Sequence, residues 1–159
     1  MAVLTNRHPT WLTVTGTLYV VATPIGNLAD SSPRSIEILR SVTLIACEDT
    51  RTTRILLAHH GIGARTVALH AHNEREAGEK LLAALREGAS VALVSDAGTP
   101  AVSDPGALLV AAAHREGLRV IPVPGPSAAI AAYSASGFVA DSFQFMGFLA
   151  AKARKSLAD

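Results

Sequence analysis

Five short apolar runs punctuate the chain, and between them apolar side chains return every third or fourth residue. The runs are Thr17–Thr23, Val42–Cys47, Thr66–Leu69, Ser90–Val94 and Leu118–Val123. A strand with one solvated face alternates between apolar and polar residues. A near-continuous apolar run predicts a strand covered on both faces. The periodicity between the runs predicts helices over Pro33–Arg40, Arg51–His60, Glu74–Glu87 and Pro105–Glu116, and a fifth over Pro126–Ser136. Strand and helix in alternation give the fold class: α/β, a five-stranded, mainly parallel sheet with helices on both faces and right-handed crossovers.

Local punctuation agrees with this pattern. Ser32-Pro33 and Asp104-Pro105 each place an N-cap residue before a proline at the first helical position. Gly61, Gly88 and Gly117 stand where three helices are predicted to stop. After Ser136 the pattern changes. Phe143–Phe148 reads as one more short strand, and Ala151–Asp159 as the opening of a helix. Phe143, Phe145, Met146 and Phe148 present apolar surface to a second domain or a second copy of the chain, or form an ordinary edge strand. The expected division is an N-terminal extension over 1–15, an α/β cofactor-binding domain over 16–140, and a linker over 141–159 toward a second α/β domain.

Composition narrows the class. The chain of 159 residues is 49% hydrophobic but only 4% aromatic, which suits Ala-, Val- and Leu-packed α/β layers better than a β-sandwich. A net charge of +1 leaves no bulk cationic field. A polyanionic partner therefore has to meet a local basic patch. Cys47, the single cysteine, lies in an apolar run. A lone buried thiol makes neither a disulfide nor a metal cluster, and fits a reducing cytosol. The first residues lack the charged-then-apolar layout of a signal peptide. The uncharged stretch Pro126–Ala140 reads as a buried helix leading into a loop, not as a membrane span.

Three loops between an apolar run and a helical stretch carry the candidate chemistry. They are Thr23–Leu28, Ser95–Gly106 and Val123–Ala128. In a parallel sheet such loops lie at the carboxyl edge of the strands, where ligands bind. Glycine and proline shape the backbone there, and helix N-termini offer unpaired N–H groups. Familiar nucleotide motifs are missing. Gly61-Ile62-Gly63 precedes a strand instead of following one, no Walker A sequence occurs, and the histidines lack metal-ligand spacing. Gly125-Pro126-Ser127 lacks the second glycine of a hydrolase nucleophile elbow. Ser127 is better read as a helix cap or a backbone contact to a ligand.

Five blocks in order carry a resemblance: Leu18–Leu28, Ala46–Arg51, His70–Glu74, Ser95–Gly106 and Val123–Ala128. With them the chain resembles the N-terminal domain of the bacterial ribosomal RNA small-subunit methyltransferase I group, within the tetrapyrrole-methylase superfamily. The likeness runs from about Gly16 to Leu149. One departure is Ala150 after Phe148-Leu149, where the group usually has proline. The resemblance implies S-adenosylmethionine as cofactor and methylation of a cytidine ribose 2′-hydroxyl in 16S rRNA of the small ribosomal subunit. It implies a cytoplasmic homodimer, an internal first strand, and a second α/β domain without which the isolated chain is expected to be weak or inactive. The alternatives are a small-molecule, tetrapyrrole-type methyltransferase and a non-catalytic binding or dimerisation module.

Residue roles follow from this expectation. Pro24, Ser95, Asp96, Ala97, Gly98, Thr99, Val102, Ser103, Pro126, Ser127 and Ala128 are expected at the cofactor, largely through backbone. A ribose hydroxyl needs a proton acceptor. Asp96 and Glu48 are the catalytic candidates, with Asp49, His72 and Glu74 further possibilities. Structural duties compete for each of them. Glu48-Asp49-Thr50 also suits a cap for the helix near Arg51, Asp96 suits a loop brace, and Asn73 and Glu74 suit a cap for the helix that follows. Arg51 and Arg54 are the expected RNA phosphate contacts, with surface ion pairing the competing duty of Arg54.

Overall fold

The computed structural model describes residues 15–148. Nearly all of the expected N-terminal extension, and the helix opening expected over Ala151–Asp159, lie outside them. The described chain runs β1 (Thr17–Val21), α1 (Pro33–Ser41), β2 (Leu44–Cys47), α2 (Thr50–His59), β3 (Arg65–Ala68), α3 (Glu74–Arg86), β4 (Val91–Val94), α4 (Ala107–Arg115), β5 (Arg119–Val123) and α5 (Ala128–Ala135). The strands order as β3-β2-β4-β1-β5, and every pairing is parallel. β1 is internal, between β4 and β5.

The strand order sets the layers. The chain crosses the sheet one way through β1, β2 and β3, then returns through β4 to β5. With crossovers of one hand, the two directions put their helices on opposite faces. Leu39 of α1 and Leu56 and Leu57 of α2 pack with Ile45, Ala92 and Val94 on one face. Leu81 and Leu85 of α3 and Leu109 and Ala113 of α4 pack with Leu18, Val91 and Leu93 on the other. Successive β4 residues thus serve opposite cores, and all four are buried. At the carboxyl edge the β4 loop leaves for one face, while the loops of its neighbours β2 and β1 leave for the other. A crevice therefore opens on each side of the β4 loop.

Local signals hold where their partners are close in sequence. Ser32 Oγ accepts from Ser35 N at 3.0 Å at the start of α1. Gly61, Gly88 and Gly117 end their helices at φ of 63°, 93° and 68°, a region closed to most side chains.

Three expectations are corrected. Asp104-Pro105 does not open α4; Gly106 is its N-cap, with φ of 118°, and the helix starts at Ala107. Phe143–Phe148 is irregular, not a strand, because alternating apolar residues form a strand only where a sheet edge pairs them. α5 has no buried residue. It is apolar without an amphipathic face, and such composition does not specify what the helix packs against.

Candidate active site at the carboxyl edge

The four loops at this edge are pinned to one another. Thr23 and Gly98 exchange backbone hydrogen bonds of 2.9 and 3.0 Å. The buried Thr23 hydroxyl adds a bond to Ser95 O at 3.1 Å. These contacts tie the β1 loop to the β4 loop. Asp49 N donates to Asp96 Oδ1 at 3.1 Å, which ties in the β2 loop. Thr99 Oγ1 donates to Pro126 O at 3.2 Å, which ties in the β5 loop. The Ser95–Gly106 loop is therefore the hub.

Two hollows flank this hub, and the residues expected at one ligand divide between them. The larger, about 150 Å³, is lined by Ala97, Gly98, Thr99, Val102, Ser103 and Asp104, by Ser127, Ala128 and Ala129 at the start of α5, and by Phe145 and Phe148. Pro126 stands behind it as the acceptor for Thr99. The smaller, about 110 Å³, is lined by Thr23, Pro24 and Leu28, by Thr52, Thr53, Ile55 and Leu56 of α2, and by Ser95 and Asp96. Pro24, Ser95 and Asp96 thus sit on the far side of the hub from the other expected cofactor residues. Phe145, Phe148 and the α2 residues were not expected here, because their sequence signals are those of an edge strand and an ordinary helix. Two larger hollows, about 330 Å³ between α3 and α4 and about 440 Å³ beside Arg40 and Gly61–Arg65, are lined by none of the expected cofactor residues.

Ser127 is the N-cap of α5 but makes no side-chain cap bond. The first N–H groups of α5 thus lack an internal acceptor, and Ser127, Ala128 and Ala129 line the larger hollow, an arrangement that suits an anionic ligand. Gly98 is buried at φ of 87°, and an added Cβ would meet the Ile25 side chain at 3.5 Å and Pro126 O at 3.8 Å. The backbone can thus approach a ligand closely.

Four carboxylates gather around the hub. Burial pushes the half-buried Glu48 above its ordinary value, and Asp96, Asp104 and Asp49 push it further, against His70. Asp104 is also raised by burial, opposed by a hydrogen bond from Ser95 and assisted by Asp96. Asp49 goes the other way, to about 2, because Arg51 donates to it through side chain and backbone. Arg51 Nη2 lies 2.6 Å from Asp49 Oδ2 in an exposed pair. Arg51 is thus not a free cation, whereas Arg54 makes no ion pair among the described residues. Asp49 also caps α2 by accepting from Arg51 N at 2.8 Å. This structural duty does not extend to Glu48.

The raised Glu48 gives a testable sign. A carboxylate with a raised folded-state value destabilises the fold once it ionises. Glu48→Gln should therefore raise the melting temperature at pH 7. The gain should shrink as pH falls toward the ordinary glutamate value of 4.5, which thermal melts across that range will check.

The His70–Glu74 block has a different task from the one expected. Asn73 does not cap α3 with its side chain. Its Oδ1 accepts from His70 N at 2.8 Å and its Nδ2 donates to Ala68 O at 3.1 Å, closing the turn after β3. Glu74 Oε1 accepts from Gly106 N at 2.8 Å and Leu108 N at 3.0 Å. It is the N-cap acceptor that α4 lacks locally, and it anchors the far end of the hub. Glu74→Ala should cost about 1–2 kcal/mol in denaturant unfolding. Glu74→Gln, which keeps the acceptor, should cost less than half of that.

The chain has relatives in sequence and in fold. Residues 17–159 match the family of tetrapyrrole (corrin/porphyrin) methylases. The chain is 62% identical over 137 residues to the ribosomal RNA small subunit methyltransferase I of Xylella fastidiosa (strain Temecula1), covering 86% of this chain and 50% of that protein. It is 57% identical over 139 residues to the protein of the same name from Escherichia coli O157:H7, covering 87% and 49%. The chain thus spans about half the length of the curated relatives it matches. Its fold is similar to a uroporphyrin-III C-methyltransferase from Thermus thermophilus, with a TM-score of 0.60 and 25% identity over 78% of this chain and 54% of that one. A cobalt precorrin-4 methyltransferase gives a TM-score of 0.60 at 24% identity, covering 76% and 50%. The family match takes in all five strands and every loop of the hub, so the chain belongs to the tetrapyrrole (corrin/porphyrin) methylase family.

Proposed function

We propose that this chain is the cofactor-binding half of a cytoplasmic, S-adenosylmethionine-dependent enzyme that methylates the ribose 2′-hydroxyl of a cytidine in small-subunit rRNA. The observation that carries the proposal is the larger hollow, which fits the cofactor's groups one by one. The free N–H groups at the start of α5 suit its carboxylate. Asp104 suits its ammonium or sulfonium. Phe145, Phe148 and the small residues Ala97 and Ala128 suit the flat adenine. The cofactor supplies an electrophilic methyl on a sulfonium, already a good leaving group.

The chain's own residues then have to position an oxygen and remove its proton. Asp96 stands on the ridge between the two hollows, with Oδ1 held by Asp49 N and no other hydrogen bond among the described residues. We assign it as the first proton acceptor to test, and Glu48 as the second. Arg54 and, on release from Asp49, Arg51 would meet RNA phosphates. A second α/β domain after residue 159 would close the site from the other side. The exposed Phe138, Val139 and Met146, and Ile130 of α5, supply apolar surface for that domain or for a second copy in a homodimer. Among the described residues no helix is long and apolar enough to cross a membrane.

The tetrapyrrole-type alternative draws on neighbours that are only 24–25% identical. The relatives at 57–62% identity are named for ribosomal RNA, which favours the RNA substrate. The test is transfer of a tritiated methyl by the whole protein to small ribosomal subunits that lack the modification. Label on a cytidine ribose is the expected result. Label on a porphyrin-type substrate in place of RNA would overturn the proposal.

A further inference from the structure

We infer that the smaller hollow, between the β1 loop and the first turns of α2, is the seat of the acceptor nucleotide's pyrimidine ring. The inference rests on the RNA-methylation proposal above and assigns that reaction a second ligand site.

Position is the first argument. Asp96 lines the smaller hollow and Ala97 the larger. Consecutive residues are about 3.8 Å apart along the backbone, so the hollows lie back to back across one ridge. Methyl transfer needs donor and acceptor in line. With the donor in the larger hollow, a ribose on the ridge sets its hydroxyl at Asp96 and sends its base into the smaller one.

Size and shape are the second argument. An apolar cavity of roughly 150 Å³ is known to take up benzene. A hollow of about 110 Å³, open on one side, can take up a single six-membered ring. Pro24, Leu28, Ile55 and Leu56 give it apolar walls for the faces of a ring. Ile55, at its rim, is 64% exposed.

The third argument is an unused hydroxyl. Thr53 is only 3% exposed, and its Oγ1 has no hydrogen-bond partner. Its hydroxyl lies near enough to the Cys47 thiol to favour the ionised sulfur, but the neutral thiol, which donates to Val67 O at 3.7 Å, is only a weak acceptor. Buried polar groups are rarely left unpaired. Thr53 lines the hollow, and a turn of about 120° around χ1 would carry Oγ1 to another staggered position there. Together with the Thr52 hydroxyl it offers a donor and an acceptor to the edge of a base.

The test uses the whole protein with two substitutions. Thr52→Phe, at an exposed position, fills the hollow. Thr53→Val keeps the shape and removes the hydroxyl. Each should raise the KM for small ribosomal subunits about tenfold, the loss expected for one hydrogen bond to a base, with S-adenosylmethionine affinity by calorimetry unchanged. Thr53→Val should melt no lower than the unsubstituted protein, because the orphan hydroxyl is gone; a purely structural threonine would lower it. Wild-type KM in both variants would overturn the inference. So would a parallel fall in cofactor affinity, which would put the cofactor in this hollow. An unsubstituted protein that fails to label RNA would sink the underlying function, and this inference with it. Labelling that is indifferent to both substitutions would sink the seat alone.

Discussion

Asp96→Asn is expected to lower methyl transfer to small ribosomal subunits about 100-fold or more, the range for loss of a general base. The melting temperature should change little. Asparagine keeps an oxygen at the position that accepts from Asp49 N at 3.1 Å, so the tie between the β2 and β4 loops survives. What it loses is the ability to take a proton. Exposure of Asp96 also means that no core packing is disturbed. Tritiated-methyl incorporation measured beside thermal melts separates the two effects. Full activity in Asp96→Asn would transfer the role to Glu48, whose Gln variant should then carry the loss.

Gly106→Ala is expected to be the most damaging single change to the fold of the hub, at about 3–5 kcal/mol. Gly106 has φ of 118°, and a Cβ there would lie 2.5 Å from Leu93 Cδ2 and 3.0 Å from Cδ1. Leu93 is 1% exposed in the central strand, so its side chain has to shift within a packed core. Left-handed strain of about 1–3 kcal/mol adds to overpacking of similar size. Against a typical stability of about 5–15 kcal/mol, that is a large fraction. The control is Gly117→Ala. Gly117 also has positive φ, 68°, but nothing lies within 4 Å of the added Cβ. It should lose only about 1 kcal/mol. Equal losses at the two sites would show that strain alone, not the Leu93 contact, governs Gly106.

The substitutions that test the site divide by the range of the contact they break. Helix stops at Gly61, Gly88 and Gly117 and the Ser32 cap were legible because each signal and its partner lie within one turn of helix. The five buried runs were legible for a similar reason: a strand covered on both faces has no polar side to interrupt its apolar sequence. The Asp104-Pro105 signal failed because a distant carboxylate, that of Glu74, outcompeted the local cap.

By itself, then, the sequence determined the alternation of β and α, the class of sheet, and the gathering of the Pro24, Ser95–Gly106 and Pro126–Ala128 loops at one edge. These are consequences of residue type and spacing along a few neighbouring positions. Only the tertiary structure decided that the gathered residues serve two hollows and not one, that Thr53 and Ile55 face Asp96, that Glu74 holds α4, and that Arg51 is paired with Asp49. Those contacts depend on the order β3-β2-β4-β1-β5. That order is set by which faces bury the most apolar surface once the whole sheet forms, a sum over long-range contacts that no local stretch of sequence contains.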